Sequence, residues 1–324
     1  MRKAFALAAV LAVSLATSLA FSPAPVDEGY ILSPGGARLF YRIVGRGTDT
    51  VVVLHGGPGG HQGEIAPDVV KLLVRHRVLF YDQRGGGQSS LPADGRELGM
   101  DDHVRDLDAV RRYFGFAHMS VIGHEWGAAV AAQYAARHPD LVANLLLVSP
   151  LPVRAPEWRQ FQDAVEARLG PQLAHREALR QALITGDDPE AACRELHTLM
   201  AGTLMADATR ASLLRGSACS ARSEALRYAA EHTAPAAWQS LGSWDWTAAL
   251  AAISARTLVV HGEQDLLPLP TAQAWALAIP NARVLVMPGA GHYPHVESAD
   301  RFWAAAEQFL AGRWPAEAQG PARP

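Results

Sequence analysis

Apolar positions along this chain follow two rhythms. Continuous aliphatic and β-branched runs at residues 50–54, 77–81, 119–122, 145–148, 257–261 and 284–287 read as strands buried on both faces. Between them, apolar residues recur three and four apart. Val104, Leu107, Val110 and Tyr113 form one helical stripe across residues 101–114, residues 65–74 have the same spacing, and residues 128–137 are Ala-rich and helical in pattern. Ahead of these, residues 30–44 predict a β-hairpin turning at Ser33-Pro34-Gly35-Gly36. Strands alternating with helices predict a mostly parallel sheet covered by helices on both faces.

From residue 152 to 246 the strand rhythm stops. Ala- and Arg-rich helical segments take over, broken at Gly170-Pro171, Gly186-Asp187-Asp188-Pro189 and Pro235. The pattern predicts a helical cap (151–246) inserted into an α/β core (28–150 and 247–312). Residues 315–324, rich in Pro, Ala and Gly, are expected to form a flexible tail. At the other end, Arg2 and Lys3 precede an uncharged stretch to Leu19, with a small-x-small site at Ser18-Leu19-Ala20. Residues 1–20 therefore read as a cleaved signal peptide rather than an anchor, because the stretch is short for a span. A secreted or periplasmic protein is expected, with no stable membrane association after cleavage. Export permits a disulfide between Cys193 and Cys219, but spacing leaves bonded and free thiols equally open. A formal net charge of −3 gives no reason to invoke nucleic acid.

The loops that punctuate the strands carry the chemistry. Residues 119–122 run into Gly123-His124-Glu125-Trp126-Gly127, from which the Ala-rich helix leaves. This is a G-x-[nucleophile]-x-G turn, which lifts one side chain above a sheet and needs small residues on both sides of it. His55-Gly56-Gly57-Pro58-Gly59-Gly60 follows one strand and Asp82-Gln83-Arg84-Gly85-Gly86-Gly87-Gln88-Ser89 the next. Gly262-Glu263-Gln264-Asp265 and Gly289-Ala290-Gly291-His292 follow the last two. With these motifs the chain resembles the α/β-hydrolase superfamily, and most closely its proline iminopeptidase-like branch. The resemblance covers the core and not the cap. The elbow differs from the Gly-x-Ser-Trp-Gly of those peptidases and is similar to the Gly-His-Asp-Trp-Gly of epoxide hydrolases and dehalogenases, with Glu125 at the nucleophile position.

The order Glu125, Asp265, His292 matches the chain order of a triad on this fold. His292 would act as base, held in its tautomer by Asp265. The backbone N–H groups of Gly57 and Trp126 are the expected oxyanion hole. Glutamate at 125 is already anionic at neutral pH. Attack on an epoxide or alkyl halide carbon gives an ordinary ester that His292 and water can hydrolyse. Attack on an acyl carbonyl gives a mixed anhydride, uphill of the substrate. A carboxylate could still serve acyl chemistry as general base on water. Epoxide opening wants an acid, and Tyr228, alone among tyrosines in the cap, is the candidate. For halides, Trp126 with a cap tryptophan (Trp158, Trp238, Trp244 or Trp246) would hold the leaving ion.

Three readings follow: a hydrolase that forms an alkyl-enzyme ester, a proline iminopeptidase-like peptidase, esterase or lactonase with Glu125 as general base, and a non-catalytic binding protein on the same scaffold. A free α-amine in the second would need cap carboxylates, with Glu190, Glu195, Glu224 and Glu231 available. The expected ligand is a small molecule or short peptide. No cofactor is implied. No metal is implied either, because Ala128 stands where a His-Glu-x-x-His motif would place its second ligand.

Overall fold

The computed structural model describes residues 26–93 and 95–321, so the signal peptide assigned above lies outside the described residues. The hairpin opens the fold as β1 (Val26–Leu32) and β2 (Arg38–Gly45), paired antiparallel. Then come β3 (Thr50–Leu54), β4 (Arg77–Tyr81), α1 (Met100–Tyr113), β5 (Met119–His124), α2 (Trp126–Arg137) and β6 (Val142–Val148). The sheet closes with β7 (Arg256–Gly262) and β8 (Ala282–Met287). Strand order is β1-β2-β4-β3-β5-β6-β7-β8, and every pairing from β4 to β8 is parallel.

Period-two alternation within the continuous apolar runs explains their composition. Val52 and Leu54 of β3 pack on the side covered by α1 and α2, while Val51 and Val53 face the opposite layer. Strand β6 divides in the same way, Leu145 and Leu147 against Leu146 and Val148. A strand with helices on both faces has no position left for a polar side chain.

Between β6 and β7 the chain leaves the sheet and forms α3 (Ala155–Leu169), α4 (Leu173–Thr185), α5 (Pro189–Leu204), α6 (Ser223–Tyr228) and α7 (Ala234–Leu241). A π turn at Ala229–Thr233 joins the last two. The cap touches the core where glycines leave room. A Cβ at Gly59 would lie 2.6 Å from the Ala229 Cβ, and Thr233 Oγ1 donates to the Gly85 carbonyl at 2.8 Å. After the cap come α8 (Thr247–Leu250), α9 (Leu269–Ala278), α10 (Pro294–Glu297) and α11 (Ala299–Leu310).

Two expectations need correction. Residues 65–74 do not form one helix but end in a 3₁₀ segment, Val69–Val74, after a 3₁₀ turn at Gln62–Glu64. Val69 and Leu72, three apart, both bury under the sheet, which the 3₁₀ period serves as well as the α period does. The tail expected to be loose is tied down to at least residue 319. Ala318 is buried and Gln319 exchanges backbone hydrogen bonds with Val284 at 2.8 Å, extending the sheet past β8.

The open question of the cysteines resolves as a bond: Cys193 on α5 joins Cys219 across a sequence separation of 26 residues. Closing a loop of that size removes unfolded-state freedom worth about 3 kcal/mol. The paired change Cys193→Ser with Cys219→Ser should lower unfolding stability by about that amount. Chemical denaturation beside the wild type checks it, and an unchanged midpoint would mean the bond constrains nothing.

Candidate active site

The site is built from loops at the carboxyl ends of the strands. Residue 125 sits between β5 and α2 at φ 47° and ψ −109°, a left-handed conformation that strains any residue with a Cβ by about 1–3 kcal/mol. The glycines around it are sterically required. A Cβ on Gly123 would lie 2.5 Å from the Gly127 carbonyl oxygen, and one on Gly127 would lie 2.5 Å from that of His55. The strained turn lifts the Glu125 side chain off the sheet, half-buried, into a cavity of about 650 Å³ under the cap.

The Glu125 carboxylate does not sit free in that cavity. Its Oε2 accepts the Gly57 backbone N–H at 2.8 Å. The donor expected to hold a substrate oxyanion therefore holds the protein's own carboxylate. Trp126 is the first residue of α2, so the helix offers its N–H no acceptor. The Trp126 indole faces away: it is fully buried and donates to Gln83 Oε1 at 3.0 Å. That removes Trp126 from the halide-binding role. Gln83 also donates to the His55 carbonyl at 3.0 Å, so one side chain ties the elbow to the Gly57 loop.

Asp265 and His292 come together as the sequence order suggested. The His292 Nδ1 lies 3.1 and 3.0 Å from the two Asp265 oxygens, with both side chains almost wholly buried. Burial works against a cation at His292. The Asp265 carboxylate outweighs it, Glu125 and Glu297 add to it, and the imidazole pKa is raised above its ordinary 6.5. Burial pushes Asp265 upward, but the His292 charge and hydrogen bond bring its pKa below the ordinary value. The His292 N–H donates to the Leu204 carbonyl of the cap at 3.0 Å, and the cap ring Phe161 stacks on the imidazole at 5.5 Å between centroids.

Tyr228 does not join this group. Its hydroxyl donates to the Pro92 carbonyl, and it is not among the residues lining the cavity. The four cap carboxylates considered for an amine are also elsewhere, in contact with Arg194, His175, Arg222 and His232. Residues the sequence reading missed are Glu64, Tyr293 and Glu297. Glu64 and Tyr293 line the cavity. Burial raises the Glu64 pKa, yet the His124 side chain, 3.5 Å away, brings it below the ordinary value. Burial and the surrounding carboxylates raise the Tyr293 pKa, which keeps the phenol protonated. Glu297 braces the base loop, accepting the N–H groups of Gly291, Tyr293 and Ala206. Adjacency to His292 was the available signal for Tyr293; nothing local marked Glu64.

Residues 49–299 match the family model described as the alpha/beta hydrolase fold. The chain belongs to that family. Among sequence relatives, the proline iminopeptidase of Lactobacillus helveticus is 28% identical over 288 residues, covering 85% of this chain and 95% of that one. Among solved structures, an esterase from Thermogutta terrifontis superposes with a TM-score of 0.64 at 25% identity, covering 88% of this chain and 98% of the other. The proline iminopeptidase of Mycobacterium smegmatis superposes equally well, TM-score 0.64, with 22% identity and coverage of 88% and 98%. This α/β-hydrolase is thus a hydrolase of the proline iminopeptidase-like branch.

Removing the Asp265 carboxylate withdraws the largest influence that raises the His292 pKa. Asp265→Asn should shift the His292 titration to lower pH, read by histidine NMR. A raised pKa stabilises the fold below about 6.5, and that contribution is lost as pH rises through the folded value. The wild type's stability advantage over Asp265→Asn should therefore shrink as the solution is made alkaline. An unmoved titration would dissociate the two residues.

Proposed function

We propose that this hydrolase opens epoxides or displaces halide at an alkyl carbon, with Glu125 as nucleophile and an alkyl-enzyme ester as intermediate. The single observation that carries the reading is the 2.8 Å hydrogen bond from the Gly57 N–H to Glu125 Oε2. For an acyl hydrolase with Glu125 as general base, that contact is an obstruction, because the substrate oxyanion has lost its donor. For a carboxylate nucleophile it is preorganisation. One oxygen is anchored in the hole and the other is left to attack. Once the ester forms, its carbonyl oxygen already occupies the position where negative charge develops during hydrolysis.

Glu125 Oε1 bonds to the electrophilic carbon while the C–O bond of the epoxide, or the C–halogen bond, breaks and its electron pair leaves with the departing atom. An epoxide alkoxide takes a proton from a neutral acid, the role we assign to Tyr293, which lines the cavity together with Glu125. His292 then removes a proton from water as the oxygen adds to the Glu125 carboxyl carbon. The tetrahedral oxyanion rests on the N–H groups of Gly57 and Trp126. Its collapse releases the alcohol with the proton taken up by His292 and leaves Glu125 as the carboxylic acid, whose proton returns to Tyr293 after epoxide opening or passes to solvent after halide loss. Asp265 holds the imidazole in orientation and stabilises its cation.

The relatives favour a second reading, a peptidase or esterase in which Glu125 activates water directly. The two differ in where solvent oxygen goes. A single turnover in ¹⁸O-water should label Glu125 and leave the product unlabelled, as read by peptide mass spectrometry. Label appearing in the product with Glu125 unlabelled would sink the nucleophile reading and support the general-base one. The product would also be carrying solvent oxygen if Glu125 held no covalent role at all.

The raised His292 pKa gives a second expectation. Hydrolysis of the ester requires neutral imidazole, so this step should accelerate with pH through a value above about 6.5. Acid-quenched intact mass spectra should show the alkyl adduct accumulating at pH 5 and fading at pH 8, and Glu125→Gln should show none. The same export context proposed for the N-terminus is supported by the Cys193–Cys219 bond, which suits an oxidising compartment.

A further inference from the structure

The cap presents its unpaired cations to the cavity. Helices α3 to α7 carry six arginines. Four are engaged: Arg168 with the carbonyls of Thr203 and Met205, Arg176 with Glu166 and Glu177, Arg194 with Glu190, and Arg227 with the carbonyls of Ile184 and Gly186. Arg159 and Arg180 have no hydrogen bond or ion pair among the described residues, and both line the cavity above Glu125. Both are exposed, which sets them at its rim. The rim's own carboxylate, Glu166, is already taken by Arg176 at 3.3 Å.

The floor holds carboxylates, with the rings of His124 and His292 beside them. Glu64 and Glu125 both line it, and their nearest oxygens lie 3.0 and 3.1 Å from the point a Gly56 Cβ would occupy. Between floor and rim the wall is aromatic, with Trp158 and Trp238 stacked at 4.8 Å. Unpaired cations at the rim, with carboxylates only below, orient an entering anion before any contact forms. Its charged end is held at the rim, and its neutral end goes down to Glu125.

We propose that the substrates of this site are organic acids: molecules with a carboxylate at one end, an apolar or aromatic middle, and the reacting carbon at the far end, with Arg159 and Arg180 as the residues that select the carboxylate. This rests on the placement of the reacting group at Glu125 in the function proposed above, but carboxylate selection is measured separately from turnover. Exposed guanidinium–carboxylate pairs are modest and screened by salt. Each arginine should therefore contribute about three- to fivefold, and the two together about tenfold.

Binding is tested with 5-phenylpentanoate and its primary amide, neither of which carries an epoxide or a halide, by quenching of tryptophan fluorescence. The wild type should bind the acid about tenfold more tightly than the amide at low salt, the preference falling as salt rises. Arg159→Gln with Arg180→Gln should abolish the preference while leaving amide affinity unchanged, and Arg180→Lys should retain part of it. Equal binding of acid and amide, or a preference that survives the double change, overturns the proposal. A parallel assay uses an ω-epoxyalkanoate and its amide. Turnover of the acid with the higher kcat/KM, lost through KM in the double variant, supports both readings. Acid-selective binding without turnover of either the ω-epoxyalkanoate or the matching ω-bromoalkanoate would overturn the alkyl-ester reading and leave the carboxylate selection standing.

Discussion

One steric constraint organises the molecule: the left-handed turn at Glu125, possible only because Gly123 and Gly127 let backbone approach backbone. A Cβ at either glycine would meet a carbonyl oxygen at 2.5 Å. The close approach of α2 to the end of β3 brings the Gly57 loop beside the elbow, and Gln83 fastens the two. From this follows the bond between Gly57 N–H and Glu125. The strain of a positive φ on a residue with a side chain, about 1–3 kcal/mol, is offset by the surrounding close packing.

What was legible in the sequence was whatever depends on short-range pattern. The run at residues 50–54 could only be a strand covered on both sides, and it is β3, residue for residue. The elbow, the Gly57 loop, Asp265 and His292 were legible because strand ends on a parallel sheet converge at one edge. What depends on side-chain direction was not. Tyr228 and Tyr293 are equivalent as letters, yet one donates to Pro92 and the other lines the cavity. Cap helices are polar on several faces, so nothing in their periodicity says which face is turned to the site. The tail misled by composition, since Gln319 is held through its backbone, which composition does not report. Glu64 was invisible because its importance comes from His124, 60 positions along the chain and 3.5 Å away.

The electrostatics of the site follow from burial. A carboxylate under a cap would ordinarily resist ionisation. Here each buried acid has a partner: Glu64 has His124, and Asp265 has His292. Glu125 has a backbone N–H, that of Gly57, as its partner instead.

The contacts of His292 join two things that many enzymes keep apart. Its ring carries Phe161 of α3, and its backbone N–H is bound to the last residue of α5. The cap thus grips the imidazole loop from above. The pose of this ring and the placement of α3 and α5 are therefore set together: a substitution that displaces either helix would be felt at the imidazole.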